Sequence, residues 1–157
     1  MFDLFTAAAA GGLDALAGVK YVSPDIMDFM TSTAAFPDKA FMWAPEPKLQ
    51  SFPFSLGAGT ILAEDFFAPT YLRMYAAWVA GDVPAALAEQ KWKMSIVKLF
   101  AAYAGDAERS VYPALCGFDI GPPRPPNQPV APADAVALHA ALSAAGFFNQ
   151  TWPAGRR

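Results

Sequence analysis

The sequence predicts an α/β chain: three short parallel strands, each preceded by a helix, and then an all-helical C-terminal part. Three observations lead there. Short apolar runs at 18–22, 40–44 and 60–63 alternate with helix-like segments. Beyond Glu64-Asp65 no strand-like run recurs, and apolar residues return at helical spacing. Of the 157 residues, 55% are hydrophobic and only 16% charged, more apolar material than one compact domain of this size readily hides. A βα alternation with apolar strands belongs either to a doubly wound sheet or to a closed barrel, and the residues leave both open.

The elements follow in order. Residues 4–16 are an alanine-rich helix interrupted at Gly11-Gly12. Gly18-Val19-Lys20-Tyr21-Val22 is a β-branched and aromatic strand stopped by Ser23-Pro24. Pro24 then suits the first position of a helix capped by Ser23, with Ile26, Met27, Phe29 and Met30 as its apolar face. Ala40-Phe41-Met42-Trp43-Ala44 does not alternate, so it is expected to be a strand covered on both faces. A short helix over 49–56 and a third strand, Thr60-Ile61-Leu62-Ala63, complete the alternation. Helices are then expected over 71–80, 84–104 (capped by Asp82), 107–116 and 133–145, the last closed by Gly146. Between the final two, Gly121-Pro122-Pro123-Arg124-Pro125-Pro126 has few backbone donors and suits a strap laid over a helical layer.

Composition excludes several functions. A net charge of −3 offers no basic field for nucleic acid. No apolar run reaches the ~20 residues of a membrane span, and Met1-Phe2-Asp3-Leu4-Phe5 lacks the basic start of a secretory signal. Cys116 is the only cysteine, which rules out an intrachain disulfide or a CxxC pair and points to the cytoplasm. His139 is the only histidine and reads as a surface or packing residue, so neither a metal nor another cofactor is expected. Glu64 and Asp65, ending a strand, are expected as an exposed pair capping the next helix.

One residue carries candidate chemistry. Strand alternation puts Val19 and Tyr21 on one face and Lys20 and Val22 on the other. In an interior strand the Lys20 ammonium loses water, which favours the neutral amine, a nucleophile toward carbonyls. At a strand end it would instead snorkel to solvent.

Gly18-Val19-Lys20, followed by Ser23 and Asp25, resembles the Schiff-base strand of the dihydrodipicolinate synthase / N-acetylneuraminate lyase family. Four further segments resemble the family in the same order. They are Asp25-Ile26-Met27-Asp28-Phe29, Leu56-Gly57-Ala58-Gly59, the run from Tyr75 to Asp82, and the Gly121–Pro126 segment, the first and last being similar to the animal-type lyase branch. The resemblance covers about residues 4–148. It implies a partial (β/α)8 TIM barrel: the last three βα units in residues 1–80, a C-terminal helical extension over 81–148 and a tail over 149–157. It also implies Lys20 as the imine-forming lysine of a class I lyase or aldolase acting on a 2-keto acid with a pyruvate moiety. The expected protein partner is a further copy, as in the family's homotetramers, or an N-terminal half-barrel. That half carries the family's G-x-[TS]-[TG]-E signature and proton-shuttling tyrosine, which no residue here matches.

Three departures bear on the substrate. Val22 stands where the lyases carry Ser or Thr; Pro45-Glu46-Pro47-Lys48 replaces the sugar-binding G-x-D-E segment; Ala63-Glu64-Asp65 replaces a Ser/Thr stretch. The expectation is therefore an N-acetylneuraminate lyase-like enzyme. Dihydrodipicolinate synthase or another sugar-acid aldolase, or a catalytically inactive half-barrel, is the alternative.

Overall fold

A computed structural model describes residues 1–44, 59–60 and 64–150; for 59–60 it describes the backbone alone. The expected helix over 49–56, Glu46 and most of the third strand lie outside the described residues. The chain divides into two compact units, Met1–Ala63 and Glu64–Arg157.

In the first unit, helix α1 (Phe2–Ala10) precedes strand β1 (Gly18–Tyr21), helix α2 (Ile26–Ala35) follows, then come strands β2 (Ala40–Trp43) and β3 (Gly59–Thr60). The strands form one parallel sheet in the order β1-β2-β3, with Lys20 in register with Met42 and Met42 with Gly59. Parallel pairing needs a crossover, and α2 supplies it between β1 and β2. Gly18 is required by close approach: a Cβ there would lie 2.1 Å from the Ala40 carbonyl oxygen.

Alternation decides which side chains are covered. Tyr21 and Trp43 are buried with Phe29 of α2, and Ile26, Phe41 and Met1 pack against them. Ring centroids lie 4.9 Å apart for Phe29–Trp43 and 5.2 Å for Phe5–Phe41, so α1 and α2 cover the same face. Lys20 and Met42 leave the opposite face and are exposed, Met42 by 38%. The two-sided cover expected of β2 is thus overturned. Its all-apolar run hides a period of two, and among the described residues Phe41 and Trp43 are those that meet helices.

Local caps also differ from expectation. Asp25 rather than Ser23 caps α2, its carboxylate accepting from the Asp28 N–H at 2.9 Å, while Ser23 accepts from the Asp25 N–H. Asp28 in turn accepts from the Met1 ammonium at 2.9 and 3.0 Å and from the Tyr21 hydroxyl at 3.1 Å. The ammonium bond holds its carboxyl below the usual range.

The second unit is helical. A 3-10 turn over Asp65–Phe67 leads into α3 (Ala68–Val79), joined to α4 (Val83–Ala101) by a tight turn. Gly81 takes φ +78° in that turn, which a residue with a Cβ rarely adopts. Asp82 caps α4 as expected, accepting from the Ala85 N–H at 3.0 Å. The helix expected over 107–116 is shorter: a 3-10 turn at Arg109–Val111, then α5 (Tyr112–Cys116), in which Pro113 occupies the first turn. Helix α6 (Pro132–Ala144) ends on the Ala145 cap, and Gly146, at φ +74°, opens a last 3-10 turn over Phe147–Asn149. Phe147 is fully buried, its ring 5.7–5.9 Å from those of Phe66, Phe67 and Phe100. The proline segment is tied down as a strap at its start, where the Arg109 guanidinium donates to the carbonyls of Ile120 and Gly121 at 2.8 Å.

Candidate active site

Lys20 is the third residue of β1, on the sheet face turned away from α1 and α2. In a closed barrel, helices form the outer ring and the other face of each strand lines the interior. The row across the sheet at this level is Lys20, Met42 and Gly59: an ammonium, a thioether and a position without a side chain. Lys20 is exposed, so the drying expected of its amine is not supplied by the described residues.

Tyr21 points the other way, as alternation requires. Its hydroxyl donates to the Asp25 carbonyl at 2.9 Å and to Asp28, and burial, the leading cause, raises its pKa. It therefore stands on the helix face and does not reach the Lys20 side of the strand. His139 is exposed and stacks on Phe148 with centroids 4.6 Å apart, a packing role. Among the described residues no group of three or more His, Cys, Asp or Glu side chains could hold a metal ion. None of the described helices is long and apolar enough to cross a membrane.

Glu64 and Asp65 do not form the exposed cap expected of them. Glu64 is turned inward, its side chain 12% exposed, and accepts from the Tyr71 hydroxyl at 3.1 Å. Asp65 is exposed and accepts from the Tyr112 hydroxyl at 2.6 Å. The inward turn of Glu64 has a cause that the sequence reading missed: Lys93, fully buried on α4, with its ammonium 3.8 Å from Glu64. The same nitrogen lies 4.8 Å from the Tyr71 ring centroid and 5.1 Å from that of Phe67, within cation–π range. Burial pulls the Lys93 amine down to about 8, against the pull of the Glu64 and Glu108 carboxylates, which raise it. Glu108 is pushed up, first by burial and then by Glu64 and Asp106. A signal for Lys93 existed, because Ala86, Gln90, Lys93, Ile96 and Phe100 repeat at helical spacing and all are buried. A lysine in the covered phase of a helix is a buried charge in need of partners.

No protein-family model and no curated protein sequence matches the chain. Solved structures do. The Ruminococcus gnavus sialic acid aldolase superposes with a TM-score of 0.81 at 17% identity, over 95% of this chain and 50% of that one. The Proteus mirabilis N-acetylneuraminate lyase gives 0.76 at 23%, over 94% and 51%. A variant of the Sulfolobus solfataricus 2-keto-3-deoxygluconate aldolase gives 0.74 at 17%, over 88% and 48%. The chain spans about half the length of these structures. At such identities the likeness is one of fold: an α/β chain, mostly helical with a small parallel sheet, that matches part of a (β/α)8 barrel.

Proposed function

We propose that the chain forms the C-terminal part of a Schiff-base lyase or aldolase, with Lys20 as the imine-forming amine for a pyruvate-derived 2-keto acid. One observation carries the reading. Lys20 stands on a parallel strand, on the face away from the helices, in a fold shared with lyases and aldolases. The amine attacks the keto carbon and water leaves, giving an iminium. The iminium draws electrons from the bond between the third and fourth carbons. That bond breaks as the hydroxyl on the fourth carbon gives its proton to a base, an aldehyde departs and an enamine remains. Protonation and hydrolysis then free pyruvate and the amine.

Among the described residues no acid–base group accompanies Lys20 on its face, so proton transfer needs a group from elsewhere. An N-terminal half-barrel is the proposed source, and it would also dry the amine. Within this class an N-acetylneuraminate-type substrate is the first reading, on the residues that resemble the lyase branch. Dihydrodipicolinate synthase chemistry or another sugar acid is the second, because Pro45-Glu46-Pro47-Lys48 lacks the sugar-binding carboxylates.

The exposure of Lys20 favours a different reading, a catalytically inactive scaffold. Borohydride reduction with labelled pyruvate separates the two. Label on Lys20, with the chain alone or beside a supplied N-terminal half, supports the enzyme. A folded, monodisperse chain that takes no label in either setting leaves the scaffold.

A further inference from the structure

The proposed chemistry leaves the Lys93 cluster unused. Lys93 is fully buried, whereas the Glu64 side chain keeps 12% of its surface exposed. We propose that Lys93 and Glu64 form a proton-operated latch at the point where the chain enters the helical unit. In its ammonium form, Lys93 holds Glu64 inward and balances two carboxylates, Glu64 and Glu108. Without that proton the charges of Glu64 and Glu108 repel in a poorly hydrated site, and Glu64 swings out to water.

The surrounding groups fit this role. From α3 come the Tyr71 hydroxyl, donating to Glu64, and its ring, under the ammonium. The turn before α3 contributes the Phe67 ring. The segment ahead of the Arg109–Val111 turn contributes Glu108, with Asp106 acting on it. Arg109 offers no second cation here, since its guanidinium is committed to the Ile120 and Gly121 carbonyls. On α4 itself the covered neighbours, Gln90 and Ile96, are uncharged.

Release is local. The Phe67 N–H donates to the Glu64 carbonyl at 3.1 Å, and the Ala68 N–H donates to the Asp65 carbonyl, so these two amides report the state of the turn. The test is amide exchange of the full chain, corrected for intrinsic rates, beside a titration of the Lys93 side chain by NMR. Protection at Phe67 and Ala68 is expected to fall about tenfold or more between about pH 7 and about pH 9.5, with the midpoint of the Lys93 titration. Amides in the middle of α4 should keep their protection. Lys93→Arg should keep the turn closed across that range, and Glu64→Gln should remove its pH dependence even if Lys93→Met fails to fold. Protection unchanged while Lys93 titrates, or a Lys93 that holds its proton throughout, overturns the latch.

Discussion

Lys93 ties the stability of the molecule to pH in a direction opposite to that of an ordinary ion pair. Its folded value, about 8, lies below the ordinary lysine value of 10.5. Between these two the unfolded chain binds more protons than the folded one, so stability from this group rises as pH climbs through that window. The melting temperature of the wild type minus that of Lys93→Met should therefore increase from about pH 8 to about pH 10.5. A flat difference in calorimetry would contradict the assignment. Lys20 behaves differently. It is exposed, so Lys20→Ala should change stability by no more than about 0.5 kcal/mol, while removing any borohydride-trapped adduct. Adduct formation that survived this substitution would move the imine to another amine.

At the scale of elements, contacts that sequence patterns do not display set the tolerances. Gly18 lets β1 lie against Ala40, and Gly18→Ala should cost about 1–3 kcal/mol by overpacking, read as a lower urea midpoint at unchanged slope. Phe147 closes the helical unit from a single 3-10 turn, and Phe147→Ala should cost about 3–5 kcal/mol in the same measurement. How far each element was legible depended on its period. In Gly18–Val22 the alternation put Lys20 and Tyr21 on opposite faces, and the folded strand agrees. In Ala40–Ala44 every residue is apolar, so the run carries no period, and only packing tells Phe41 and Trp43 from Met42. The Asp82 cap could be read because a carboxylate before a proline-started helix has one satisfying partner, the N–H three residues on. The Asp25 cap could not, because Ser23 competes for the same role two residues earlier.

For the whole molecule, the open face of the sheet is the feature on which the proposed function rests. Lys20 and Met42 stand uncovered on it, and the solved structures that match this fold are about twice as long. If Lys20 is an imine-forming amine, co-expression with an N-terminal half-barrel should raise borohydride-trapped label at Lys20 well above that of the chain alone. Equal labelling in the two preparations would show that the supplied half does not form the site.

By itself the sequence determined the helix–strand–helix–strand order up to Trp43, the parallel class of the sheet, the helices after Asp65 and the face on which Lys20 stands. These follow from local periods and caps, which each segment carries within a few residues. Only the tertiary structure decided that β2 is covered on one side, that Glu64 turns inward and that Lys93 is buried against Glu64. Those outcomes depend on which side chains meet across tens of residues of chain, and no short-range period records such a meeting.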